Sequence, residues 1–341
     1  MEAYLLNNYS KCPETTYFES REFLITSVRI LSVLTFPLSI YGVYLILYVT
    51  PVALKNVKAV LMFLHICTFF VDAVVDFLIE PYIFLPSTAV YLNGILWEYL
   101  HLPHSFLVWL GQYSLYCLGM SIAILFQSRH SMIITIKHRM TSTSTKIIYY
   151  TINYLVGAIG MASYHFQKLD NATGKLFFLQ TSYPCPPKEF FDEANTIVVT
   201  TNMTLLIYAQ FIVTFWACSH GLFWCFASAF ALTRKTSNVS KKTREMQLKF
   251  LTTVSIQITI PLLAIMFPGT YLTYMIATSQ VNQVMCNIIV ITIAFHGLTS
   301  NICLIVVQKP YREFTLSFVS KRFENKRMFA KVSGIQTPGR I

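Results

Sequence analysis

Charge is what this 341-residue chain has least of: 12% of its residues are Asp, Glu, Lys or Arg, about half the roughly 25% found in soluble domains. A water-facing surface cannot be assembled from so few charges, which excludes an ordinary soluble protein. Also missing is any CxxC pair among the eight cysteines, the spacing that would hold a structural zinc, so no metal or cofactor is expected. Most of those cysteines stand singly inside apolar blocks, where a thiol packs as a small apolar side chain. Residues 1–22 contain no apolar run of the secretory-signal kind, so the first apolar block is expected to direct insertion itself. No internal repeat of the transporter type is visible. No nucleophile stands beside a base in the pattern that covalent catalysis needs, and the expectation is a protein that is not an enzyme.

What the chain has instead is apolar sequence in long blocks, with 55% apolar and 15% aromatic residues. A helix needs roughly 20 apolar residues to cross a hydrocarbon core. Seven blocks meet that need, at about 23–49, 59–79, 105–126, 147–165, 203–232, 250–277 and 283–307. The expected fold class is therefore an all-α membrane protein, a seven-transmembrane helix bundle over 23–307. It is preceded by a segment at 1–22 and followed by a basic tail at 308–341. The stretches 80–104 and 166–201 read as loops.

The net charge of +11 would suit nucleic acid, but its distribution points to a membrane. With the N-terminus outside, the segments on the inner side hold 20 of the 26 Lys and Arg, and nine of the 15 acidic residues lie outside. That is the bias expected of a multi-pass protein of the plasma membrane with its N-terminus out. Two glycosylation sequons, Asn8–Ser10 (NYS) and Asn171–Thr173 (NAT), then fall outside. Cys12 and Cys185 lie on the same oxidising side and are expected to pair, with Cys286 as the competitor.

Three groups of residues stand out inside this frame. His65, Asp72 and Asp76 in the second span share one face of a helix by spacing, and His296 in the seventh span is placed to meet Asp72. Carboxylates at membrane depth are costly enough to be functional candidates; a hydrogen-bonded cluster that only holds the bundle together is the alternative. Pro261 and Pro268 fall inside the sixth span, where proline removes a backbone donor and favours a kink. Lys241, Lys242 and Arg244 crowd the loop before the sixth span, and Lys309 and Arg312 open the tail. With Phe314, Phe318 and Val319 at helical spacing, the tail reads as a short amphipathic helix on anionic lipid.

Several local strings are similar to those of nematode serpentine chemoreceptors of class H, within the seven-transmembrane G-protein-coupled receptor superfamily. They are Pro37–Tyr44 (PLSIYGVY), Thr50–Lys58 (TPVALKNVK), His65 with Asp72, Pro81–Pro86 (PYIFLP), Tyr183–Pro187 (YPCPP), and His296–Ser300 (HGLTS) running on to Lys309–Arg312 (KPYR). The resemblance covers nearly the whole chain in order. It implies a chemosensory receptor that binds a small environmental molecule outside and activates a heterotrimeric G protein inside. Arg129, Lys241, Lys242, Arg244, Lys309 and Arg312 would form the G-protein face. An outer ligand pocket would draw on Trp109, Tyr113, Tyr208, Tyr271 and Tyr274, for each of which core packing or lipid contact is the plainer reading.

The chain also departs from receptor patterns. Asp-Arg-Tyr and Asn-Pro-x-x-Tyr are absent, and where class H has a Phe-Glu-Asn-Arg-like string this chain has Phe126–Arg129 (FQSR). Arg129 thus lacks the acidic partner for a charge-paired resting lock. No cysteine lies at the outer end of the third span, which makes Cys12 the candidate partner of Cys185. An ion-conducting or transporting protein using Asp72, Asp76 and His296 is the alternative function, and pairing with a second receptor is left open.

Overall fold

The computed structural model describes residues 12–51, 55–133, 142–165, 169–233 and 241–317. Seven long helices run through them: α1 (Arg21–Tyr44), α2 (Lys55–Ala73), α3 (His104–Ile133), α4 (Thr143–His165), α5 (Met203–Thr233), α6 (Lys241–Ala277) and α7 (Gln283–Val307). Six are long and apolar enough to cross a membrane. The other, α4, opens on a polar turn at Thr143–Lys146 and carries Tyr149, Tyr150, Asn153 and Tyr154. It packs into the bundle because its polar groups meet partners on α3 and α5. The Tyr116 hydroxyl donates to Asn153 O at 2.7 Å. Trp216 Nε1 donates to Asn153 Oδ1 at 2.9 Å, and Trp224 Nε1 to the Tyr149 hydroxyl at 3.0 Å. Interhelical bonds of this kind satisfy groups that lipid cannot.

Helix starts follow their capping residues. Ser20 Oγ accepts from Phe23 N at 3.1 Å to open α1, Asn202 Oδ1 accepts from Leu205 N to open α5, and Asn282 Oδ1 from Met285 N to open α7. Each offsets one of the donors a helix N-terminus leaves unpaired. Two helices end in wider π-type turns, α1 through Leu45–Val49 and α2 through Val74–Ile79. Pro261 and Pro268 both lie within α6, which runs through them as one helix of 37 residues.

One end of the bundle wears a cap that the sequence reads only as loops, and it adds strands to an all-α expectation. Strands β1 (Pro81–Phe84), β2 (Ala89–Leu92) and β3 (Thr196–Val198) form an antiparallel sheet in that order. Pro81 is opposite Leu92 and Phe84 opposite Ala89; Ala89 is opposite Val198 and Tyr91 opposite Thr196. The strands are short and rich in β-branched and aromatic residues, which suit a pleated, half-buried surface. Between α4 and β3 lies a cap helix, Asn171–Thr181, opened by Asp170, whose carboxylate accepts from Thr173 N at 2.9 Å.

The cap is bound to the bundle at several points. Cys12 and Cys185 are joined by a disulfide across a sequence separation of 173 residues. The Tyr82 hydroxyl donates to Glu19 O at 2.6 Å. Gln283 Nε2 donates to Ile83 O at 2.9 Å, and Gln283 Oε1 accepts from the Tyr183 hydroxyl at 3.1 Å. Asn287 Nδ2 donates to Phe18 O at 2.9 Å and Ser20 O at 3.2 Å. A bridge closing so long a stretch removes much unfolded-state freedom, typically about 2–5 kcal/mol in small domains. Cys12→Ser is accordingly expected to lower the melting temperature of the purified protein by several degrees; a melting curve that matches the wild type would remove the bridge from this account.

At the far end, residues 309–317 are helical but do not simply lie on lipid. Tyr311 is buried, and its hydroxyl sits 2.7 Å from Thr50 Oγ1; Tyr41 and Thr315 hydroxyls are 2.8 Å apart. This short helix is hydrogen-bonded to α1 and to the turn after it. Phe318, Val319 and the rest of the tail lie outside the described residues.

Candidate functional site

The polar residues of α2 do not act as a single face. Asp72 is fully buried, and its Oδ1 is 3.4 Å from His296 Nδ1 on α7. His296 Nδ1 also donates to Ile293 O at 2.6 Å. Asp76 instead turns to α1, where Ser32 Oγ donates to its Oδ2 at 2.6 Å. A π-type turn begins at Val74, between the two aspartates, and contains Asp76; the change of helix phase is one the α-helical spacing cannot register. His65 goes to α1 as well, with Nε2 donating to Ser39 O at 2.8 Å, while Asn301 Nδ2 on α7 donates to Ser39 Oγ at 2.8 Å. The four candidates therefore belong to a buried network that ties α1, α2 and α7.

Close helix approach makes this network. Gly297 lies where any Cβ would meet the Asp72 carboxylate, and a Cβ at Gly42 would come within 2.6 Å of the His65 ring. Several polar atoms in the network have no hydrogen-bond partner, including both Asp72 oxygens, Asp76 Oδ1 and His296 Nε2. Unpaired buried polar atoms are costly and rare in native proteins. Beyond Asp76, Arg29 pairs with Glu80 at 3.0 Å, with the Arg29 side chain 60% exposed along α1.

The five aromatic residues expected to line a pocket do not converge. Trp109 Nε1 donates to Ala158 O at 3.2 Å and the Tyr113 hydroxyl to Tyr154 O at 3.3 Å, so both are spent joining α3 to α4. Tyr208, Tyr274 and Tyr271 are 63%, 49% and 37% exposed on the bundle surface. Residue type suggested a pocket; direction around each helix decides otherwise, and sequence without a partner helix does not supply that direction.

At the end opposite the cap, Arg129 has found a different partner from a carboxylate. Its guanidinium carbon lies 3.4 Å from the ring centroid of Phe250 on α6. Its Nη1 contacts Met132 Sδ at 3.8 Å, while Nε and Nη2 are buried without a hydrogen-bond partner. Gln127, two residues before it, accepts from the Tyr150 hydroxyl at 2.7 Å and so joins α3 to α4. Gln308 Nε2 donates to Gln257 Oε1 at 2.8 Å, linking α6 to the end of α7. Arg312 donates to Val306 O at 2.8 Å, and Lys309 lies 3.6 Å from Glu313 on the surface. Arg244 is on the first turns of α6; the side chains of Lys241 and Lys242 lie outside the described residues.

The cap contains polar groups that sequence reasoning missed. Lys175 is buried and donates from Nζ to Asp192 O at 2.8 Å; burial pushes its pKa down. Burial pushes the Asp192 carboxyl up, but hydrogen bonds from the Asn195 side chain and from the Asn195 and Ala194 backbones more than offset it and hold it below the usual range. Asn171, expected to carry a glycan, is used structurally: Nδ2 donates to Thr196 O at 2.8 Å and Oδ1 accepts from Val198 N at 2.9 Å. A sugar on that nitrogen would leave one N–H, the one that Thr196 O accepts. Asn171→Gln is expected to loosen the cap, read as faster hydrogen exchange at Val198. Asn8 lies outside the described residues.

The family described as "Serpentine type 7TM GPCR chemoreceptor Srh" matches residues 19–321. Serpentine receptor class H-72 of Caenorhabditis elegans is 26% identical over 319 residues, covering 93% of this chain and 91% of that protein.

Proposed function

Because the chain belongs to the Srh family of serpentine seven-transmembrane chemoreceptors, we propose that it binds a small molecule at the capped end and activates a heterotrimeric G protein at the other. In this reading the cap faces outward and the Arg129 end faces the cytoplasm, in keeping with the Lys and Arg distribution. The observation that carries it is the Arg129–Phe250 contact. It joins α3 to α6 by a single cation–π contact while two guanidinium donors stay unspent. Such a junction is suited to two states: closed on Phe250, or opened with the freed guanidinium offered to a partner. A ligand shifts that balance only if it binds the two states differently, and the α1–α2–α7 network is placed between the cap and the far end to transmit the difference.

The test is a G-protein activation reporter in cells displaying the protein, exposed to a chemical panel. A responsive compound is expected, and Arg129→Ala is expected to abolish its response at equal surface level. A response that survives Arg129→Ala would remove that residue from the G-protein face. The unpaired oxygens of Asp72 favour one rival, an ion path through the bundle. Current across membranes containing only this protein, lost on Asp72→Asn, would support the rival instead.

A further inference from the structure

We propose that the cap holds a binding site for a small zwitterion, an amino-acid-sized molecule with one carboxylate and one ammonium, anchored on Arg21. The proposal deepens the receptor reading and rests on it for the direction the cap faces. A chamber of about 300 Å³ lies between the N-terminal segment and the loop after the cap helix, lined by Thr15, Glu19, Ser20, Arg21, Pro187 and Glu189, with Glu22 and Lys188 completing it. That is the lower end of the range for small-molecule sites, roughly 300–1,000 Å³. Both walls are fixed. The disulfide of Cys12 and Cys185 ties the two segments together, and the Tyr82 hydroxyl holds Glu19 O.

Its chemistry is selective. Arg21 borders the chamber, and its guanidinium carbon sits 5.0 Å from the centroid of the Tyr91 ring. Arg21 has no ion pair among the described residues, and carboxylates match the guanidinium fork. The neighbouring Glu19 is not ion-paired with it; its Oε2 accepts from Thr16 N at 2.6 Å and Thr16 Oγ1 at 2.9 Å. Around Arg21 the chamber carries Lys188 against Glu19, Glu22 and Glu189, so a bare anion meets excess negative charge. A bare cation leaves Arg21 unsatisfied. A molecule bearing both charges answers both, with its carboxylate on Arg21 and its ammonium toward Glu189 and Glu22.

Occupancy has a route inward. Arg21 begins α1, and the backbone just ahead of it, Phe18 O and Ser20 O, is held by Asn287 of α7. These are two of the three helices joined by the buried network.

The test is calorimetry on purified full-length protein in detergent with each of the 20 common amino acids, then with the best binder's deaminated and decarboxylated analogues. At least one amino acid is expected to bind, and each analogue to bind about tenfold or more weakly, as for loss of one charged hydrogen bond. Arg21→Gln should weaken binding about tenfold or more, with part recovered in Arg21→Lys. Glu189→Gln should weaken the amino acid but not its deaminated analogue, which keeps the proposal testable if the Arg21 variants do not fold. No binding by any of the 20, or binding indifferent to these substitutions in folded protein, overturns the site. Calorimetry contains no G protein, so the two readings fail separately. Binding without cellular signalling sinks the receptor coupling and spares the site. Signalling by other compounds with no amino-acid binding sinks the site and spares the receptor.

Discussion

Gly297→Ala is expected to remove most of the protein from the cell surface. The added Cβ would collide with the Asp72 carboxylate, which is fully buried between α2 and α7. Overpacking of a well-filled interior costs about 1–3 kcal/mol, and here the group displaced is a carboxylate with no water to retreat to. Separating the two helices would also strain the contacts that Asn301 and His65 make with Ser39. Gly221→Ala and Gly269→Ala are the controls, since nothing lies within 4 Å of a Cβ at either position; both should reach the surface normally. Gly297→Ala combined with Asp72→Ala should recover part of the loss, because the second change vacates the space. Surface labelling of the four variants measures this, and a double variant no better than Gly297→Ala alone would show that the collision is not the cause.

Phe250→Ala is expected to raise ligand-independent G-protein activation. A desolvated cation–π contact contributes about 2 kcal/mol, and losing it from one state alone shifts the balance by roughly thirtyfold. Arg129 would keep its charge and its unspent donors but lose the ring that holds it to α6. Phe250→Trp retains a better π face and should leave basal activation at or below the wild-type level. The measurement is basal reporter output normalised to surface protein. Equal output from Phe250→Ala and the wild type would mean that this contact does not restrain the resting state. The FQSR string had raised the question of what restrains Arg129 without an acidic neighbour, and the ring on α6 is the structural answer proposed here.

How much of this was legible beforehand depended on the range of each interaction. The spans were legible because membrane insertion reads apolar length and charge locally; α4 could be found in the same way despite its tyrosines, once its polar groups are allowed interhelical partners. The Asp72–His296 approach was also legible, since two ionisable residues at membrane depth have few places to go. The division between Asp72 and Asp76 was not. It arises from the π-type turn at Val74–Ile79, a backbone choice that side-chain periodicity does not encode. The pocket aromatics failed for a related reason: Tyr208, Tyr271 and Tyr274 have the right chemistry, but helix rotation turns them to the surface.

The cap shows the same limit more clearly. Its strands are three or four residues long, too short to display a period, and β3 is paired only because the chain returns more than a hundred residues after β2. Asn171 had the sequence of a glycan acceptor and the structure of a clamp on β3. The sequence by itself determined that this chain crosses a membrane as a helical bundle and belongs among serpentine chemoreceptors, because hydropathy, charge bias and short strings act close along the chain. Only the tertiary structure decided which polar groups meet, that Arg129 rests on Phe250, and that Arg21 lies over Tyr91 at the edge of a chamber. Those outcomes depend on helix rotation and close approach between segments far apart in sequence, which no local pattern contains.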